Sequence, residues 1–169
     1  MSERLGQPVV VENRAGAGGM IGVDAIAKAP PDGYVIGLAA AGALSSNIHL
    51  YPTMPYHPEK DLAPISMLAM IPFFLVAHPS QASSLKELIE TAKAKPGALS
   101  YGHGGQGSTM HLAGELLNMM ASIRIQAVPY KGSGPAAQDL IAGHIDMMID
   151  TGSLGSIRGG LLKPIAVAS

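Results

Sequence analysis

Tyr101-Gly102-His103-Gly104-Gly105-Gln106-Gly107-Ser108-Thr109-Met110-His111 is the stretch that decides the architecture. It follows the strand-like Leu99-Ser100-Tyr101 and opens a helix predicted over Ser108–Met120, with Leu112, Leu116 and Met119 or Met120 facing inward. Four glycines in the six positions 102–107 let the backbone turn tightly and bring N–H groups close to a partner. The helix start adds partial positive charge. Together these features suit a carboxylate or phosphate, and the competing reading is a tight loop that serves packing alone. No lysine follows Gly107 as a P-loop requires, so a nucleotide site is disfavoured.

Outward from this junction, short apolar runs alternate with helical patterns. Strands are expected at Val9–Val11, Tyr34–Ala39, Phe73–Ala77, Ile125–Tyr130, Ile145–Ile149 and Pro164–Ala168. A helix over Met20–Ala29 carries Ile21, Ala25, Ile26 and Ala29 on one face and stops at Pro30-Pro31-Asp32-Gly33. The helix after Ala77 is the best signalled: Ser84 caps, Glu87 completes a capping box, Leu85, Leu88, Ile89 and Ala92 form the stripe, and Pro96-Gly97 stops it. Pro135–Ala142 is helical from near Ser133, and Ser153–Arg158 forms a short helix. Leu50–Pro64, with its prolines, is an irregular connection. Strand–helix alternation with glycine loops predicts an α/β fold with mainly parallel strands and ligand sites at the strands' carboxyl ends.

Composition removes several classes. In 169 residues, 47% are hydrophobic and only 14% charged, too apolar for a disordered linker. Eleven basic against 12 acidic residues, without a basic stripe, argue against a nucleic-acid partner. The apolar stretch Ile65–Ala77 is broken by Ser66 and Pro72 and falls short of the roughly 20 residues of a membrane-spanning helix. Zero cysteines exclude disulfides and thiolate metal sites. The six histidines lack H-E-x-x-H spacing, and no metal or other cofactor is expected. His111 is expected to pack or hydrogen-bond in the first helical turn. Asp146 and Asp150, along one strand, would stand roughly 13 Å apart, too far for paired-carboxylate catalysis. The methionine pairs Met119-Met120 and Met147-Met148 read as core.

A second junction, Pro129-Tyr130-Lys131-Gly132-Ser133-Gly134-Pro135, repeats the strand–turn–helix logic. Ser133 is a helix cap or a ligand contact, and Lys131 is solvated or meets an anion. His103-Gly104-Gly105 also matches the oxyanion-hole segment of lipase-like hydrolases. That alternative, a small α/β hydrolase, needs a G-x-S-x-G elbow, and Thr151-Gly152-Ser153-Leu154-Gly155 is the nearest approach.

In order along the chain, Gly6-Gln7-Pro8-Val9-Val10-Val11-Glu12-Asn13-Arg14 through Gly16-Ala17-Gly18-Gly19, Ala27-Lys28-Ala29-Pro30-Pro31-Asp32-Gly33-Tyr34 and Leu50-Tyr51-Pro52 through Pro55-Tyr56 form a set. The set continues with Ala94-Lys95-Pro96-Gly97, Tyr101-Gly102 leading to His111-Leu112-Ala113-Gly114-Glu115, Val128-Pro129-Tyr130-Lys131-Gly132-Ser133 and Ile165-Ala166-Val167. Taken together these motifs resemble the solute receptors of tripartite tricarboxylate transporters, the TctC-like or Bug family, across essentially the whole chain.

The resemblance implies a type II periplasmic binding-protein fold of two lobes. Residues 1–70, with 163–169 returning, would form the first lobe and residues 71–162 the second. It implies a receptor without catalytic activity, periplasmic in its full-length parent, that presents a small carboxylate solute to transporter membrane subunits. Carried over by position, Gly104, Gly105, Gly107, Ser108 and Thr109 form the cleft loop of the second lobe, with Gly132, Ser133 and Asp150 nearby. Ala41, Gly42 and Asn47 face the cleft from the first lobe. Where relatives often carry hydroxyl side chains, Ala40, Ala41 and Ala43 surround Gly42; Ala15 replaces a common proline and His103 a common serine. The reading also expects a fragment incomplete at both termini, since Met1–Gly6 has no signal-peptide core and Pro164–Ala168 is a strand at the chain end. Its exposed edges, Val9–Val11 or Ile165–Ala168, would then pair two copies.

Overall fold

Phe73-Phe74-Leu75-Val76-Ala77 has no polar position to turn toward water, and such a strand needs cover on both faces. A computed structural model, which describes residues 1–168, supplies that cover. Strand β1 (Phe73–Ala77) lies in a five-stranded sheet with β2 (Ser100–His103), β3 (Gln126–Pro129), β4 (Met147–Asp150) and β5 (Lys163–Ala168) in the order β3-β2-β4-β1-β5. Strand β2 runs parallel to β3 and β4, while β1 runs antiparallel to β4 and β5. Four strands therefore share one direction and β1 alone is reversed. The parallel character expected from strand–helix alternation holds, in a mixed sheet.

Side chains of alternating parity along the strands divide the core in two. Leu75 and Ala77 of β1, with Met147 and Ile149 of β4, pack against Leu88 and Ala92 of α4 (Leu85–Ala94) and against Ala113 and Leu117 of α5 (Thr109–Ala121). Val76 and Met148 point the other way, onto Ala136 and Leu140 of α6 (Ser133–Ile141). Met147-Met148 is core, as its composition suggests. Met119-Met120 is not: both side chains are exposed, as is Leu116. The inward face of α5 is instead Met110, Ala113, Gly114 and Leu117, because Gly114 lies flat against the Tyr101 ring and fixes the helix's rotation.

Helix α4 begins as its sequence specifies. Ser84 Oγ accepts the Glu87 N–H at 3.2 Å, while the Glu87 carboxylate accepts the Ser83 N–H at 2.7 Å, one residue earlier than a standard capping box. Gly132, not Ser133, caps α6, and Ser133 is its exposed first residue. The short helix α7 spans Leu154–Arg158.

Residues 1–72 contribute no strand to this sheet. They hold α1 (Ser2–Leu5), α2 (Met20–Ala27), a wide π-type turn at Gly42–Ser46 and α3 (Asn47–Leu50), around a small core of Met20, Val23, Ala43 and Tyr56. The buried side of α2 is Met20 and Val23, whereas Ile21, expected inward, is half exposed. Val9–Val11 and Tyr34–Ala39 are not strands: no ladder partner lies beside them among the described residues, and Val10, Val11, Tyr34 and Leu38 are exposed. The expected return of 163–169 to the first lobe is likewise corrected. Residues 163–168 are β5, paired with β1, and Ser169 lies outside the described residues. Among the described residues no helix is long and apolar enough to cross a membrane.

Candidate functional site

The parallel strands β2, β3 and β4 end on one side of the sheet, and the loop Gly104–Ser108 rises there between β2 and α5. Ser108 caps α5, its Oγ accepting the His111 N–H at 3.3 Å. Much of the loop's polar capacity turns inward. The Ser108 N–H donates to Gly105 O at 3.1 Å, and the Gly107 N–H donates to His111 Nδ1 at 3.3 Å.

Against this loop sit the turns of residues 1–72, at distances that admit only glycine. A Cβ on Gly18, whose φ is +62°, would stand 2.6 Å from Gln106 O. One on Gly42 would stand 2.9 Å from Gly107 O, and one on Gly107 (φ +74°) would strike Asn47 Oδ1. Tyr51 Oη donates to Gln106 O at 2.8 Å. Asn47 is completely buried beside Gly107, and neither its Oδ1 nor its Nδ2 has a hydrogen-bond partner. A buried amide left unpaired in this way costs on the order of 1–3 kcal/mol, so its position calls for a partner.

The structure thus brings together Gly104, Gly105, Gly107, Ser108 and Thr109 with Gly42 and Asn47. Gly132 flanks them, its Cα 3.5 Å from where a Gly104 Cβ would lie. Ala41 precedes Gly42 with its side chain exposed. Asp150 is buried at the end of β4, accepting the Ser153 N–H at 3.2 Å and the Ser153 hydroxyl. That bond also removes the hydrolase alternative's nucleophile, because Ser153 Oγ is committed to a carboxylate and His103 to the Gly105 backbone.

Sequence reasoning named His103 within the candidate loop but did not place Gly18 or Tyr51 at this site. The Gly16-Ala17-Gly18-Gly19 and Leu50-Tyr51-Pro52 motifs are the signals that contain them. His103 is buried beneath the loop, its ring centroid 4.5 Å from that of His111. Burial pushes its pKa down, and the neighbouring His111 acts in the same direction against the opposing Gly105 carbonyl. Tyr101 Oη donates to Glu115 Oε1 at 2.8 Å, and burial, then that bond, hold its hydroxyl protonated well beyond the usual range.

The mixed α/β sheet thus carries a glycine-rich junction at the carboxyl ends of its parallel strands, where the turns of residues 1–72 meet it. The chain belongs to the family described as "Tripartite tricarboxylate transporter family receptor", whose model matches residues 1–169. This is a family of periplasmic solute-binding receptors, not of enzymes. Among its curated relatives, "Protein BugT" of Bordetella pertussis is 42% identical over 173 residues, covering 100% of this chain and 53% of the relative. A "UPF0065 protein in tcbD-tcbE intergenic region" of Pseudomonas sp. strain P51 is 43% identical over 152 residues, 89% of this chain and 45% of the relative.

Among solved structures, "R. palustris Rpa4515 with adipate" superposes with a TM-score of 0.95 at 37% identity, over 99% of this chain and 57% of that one. "Periplasmic binding protein BugD" gives 0.94 at 36%, over 99% and 57%. "MatC (Rpa3494) from Rhodopseudomonas palustris with bound malate" gives 0.91 at 31%, over 99% and 58%. The chain spans about half the length of the curated relatives it matches.

Proposed function

We propose that this chain binds a carboxylated organic solute where the Gly104–Thr109 loop meets the Gly42–Asn47 turn. In its full-length parent it presents that solute to the membrane subunits of a tripartite tricarboxylate transporter. The observation that carries the reading is the fully buried, unpartnered Asn47 amide against Gly107. Its Nδ2 and the Thr109 and Met110 N–H groups at the start of α5, the His111 N–H being taken by the Ser108 cap, make a donor set for a carboxylate. Asn47 Oδ1 adds an acceptor for a hydroxyl or amine on the solute. Two solved relatives that hold adipate and malate support a dicarboxylate as the first probe.

Calorimetric titration tests this. Adipate or malate should bind, and the dimethyl ester of adipate should not. Asn47→Ala should weaken binding roughly tenfold to a hundredfold, the scale of a hydrogen bond to a charged group. Equal binding of acid and ester, or binding untouched by the Asn47 change, contradicts the proposal.

A further inference from the structure

Where residues 1–72 meet the Gly104–Ser108 loop, Gly18, Gly42 and Gly107 bring backbone against backbone. Packing of this kind holds two surfaces together without fixing one alignment, whereas a hydrogen bond is directional. Among the described residues a single hydrogen bond joins the two regions. It runs from Tyr51 Oη to Gln106 O at 2.8 Å.

Tyr51 reaches that carbonyl from the helix that carries Asn47. Its N–H donates to Asn47 O at 3.0 Å, closing the last turn of α3, so the two side chains stand four residues apart on one face. Asn47 Oδ1 stands against Gly107, and Leu50 Cδ1 lies 3.2 Å from where a Gly107 Cβ would be. Tyr51 Oη donates to the carbonyl just before that glycine. The peptide between Gln106 and Gly107 is thereby gripped at both ends, its C=O by Tyr51 and its N–H by His111 Nδ1 at 3.3 Å. A glycine follows this peptide, so no Cβ opposes a flip of its plane; the Tyr51 hydroxyl does.

Resting on the binding reading above, we propose that Tyr51 is the positioning residue of this junction. Its hydroxyl, through Gln106 O, fixes the Gly104–Ser108 loop against the turn that carries Asn47, so that donors on the two sides meet a solute at one spacing. Tyr51 acts through Gln106 rather than on the solute, because its hydroxyl proton is committed to that carbonyl. Tyr56, the other tyrosine of the Leu50–Pro64 connection, does not share the task. Its hydroxyl donates to Ala43 O at 2.7 Å, wholly within residues 1–72, and holds the Gly42–Ser46 turn without reaching the loop.

Tyr51→Phe keeps the ring and removes the tie. Adipate affinity should fall about threefold to tenfold, the scale of one neutral hydrogen bond. A double-mutant cycle with Asn47→Ala separates positioning from a general weakening of the chain. Since Tyr51 aligns Asn47 with the loop, Tyr51→Phe should change affinity by less than about twofold once Asn47 is alanine. A full loss in both backgrounds overturns the inference and leaves the binding reading intact, as does an unchanged affinity in Tyr51→Phe alone. Amide exchange of the solute-free chain supplies a readout that does not depend on binding. In Tyr51→Phe the Gly107 amide should exchange severalfold faster, with the Leu117 and Leu140 amides unchanged. Equal Gly107 exchange in the two chains overturns the positioning role. Absence of adipate binding by the unsubstituted chain overturns the binding reading, and the role of Tyr51 in solute capture with it.

Discussion

Phe73–Ala77 and Val9–Val11 are both short apolar runs bounded by irregular chain, and they end in opposite states. Val76 is fully buried between two strands and a helix, while Val10 is 83% exposed with no strand beside it. The same contrast holds between residues 73–168, with a sheet and two core clusters, and residues 1–72, with one small cluster around α2. A strand is a pairwise object: residue type makes the segment extended, and only a neighbour at ladder distance makes it stable. The Gly104–Thr109 loop sits where these two unequal regions touch, backbone against backbone.

The sharpest way to break the comparison is in the core. Leu140→Ala, at a fully buried position under the sheet, should lower unfolding free energy by about 2–5 kcal/mol. Val10→Ala should change it by less than about 0.5 kcal/mol. Urea unfolding of both variants reads this directly, and equal losses would show that residues 1–72 are as firmly packed as the sheet.

Next in size is the contact between the regions. Gly18→Ala places a Cβ 2.6 Å from Gln106 O at a left-handed backbone position, a clash that no side-chain rotation relieves. It should cost about 1–3 kcal/mol and weaken solute binding together with stability. An unchanged melt would mean that the Gly18 turn and the loop do not touch in solution.

Smaller effects belong to the sheet region alone. Ser84→Ala removes the cap of α4 and should cost about 1 kcal/mol, read as a lower urea midpoint with an unchanged slope. Asp139 accepts from the Tyr130 hydroxyl at 2.7 Å, and that bond first, then His144, holds its carboxyl below the usual range. The same contact, after burial, pushes the Tyr130 hydroxyl up to about 12. A depressed folded pKa gives stability that is present above the unfolded value near 4 and is lost as pH falls through the folded one. Asp139→Asn should flatten this acid limb of the stability curve, and a limb of identical shape would assign it to other carboxylates.

The sequence is legible where the signal is local. Ser84, Glu87 and Pro96-Gly97 bound α4 by contacts within a turn or two, and the Gly102–Gly107 run marks the β2–α5 junction without any knowledge of the sheet. What depends on distant partners is not legible. The rotation of α5 follows from Gly114 meeting the Tyr101 ring, so Leu116, Met119 and Met120 face outward despite helical spacing. The reversal of β1, and the pairing of β5 with it across 86 or more residues, leave no trace in periodicity. At the site, Gly42 and Asn47 follow from family resemblance, whereas the close approach of Gly18 to Gln106 and of the His103 ring to that of His111 are products of tertiary contact.

The central claim is that a carboxylate bridges the two regions at Asn47 and the Gly104–Thr109 loop. Amide hydrogen exchange with and without saturating adipate tests it most directly. The account predicts slower exchange in both Gly42–Asn47 and Gly105–Met110 on adding adipate, with Leu85–Ala94 unchanged. Protection confined to one of the two segments, or appearing only elsewhere, would contradict it.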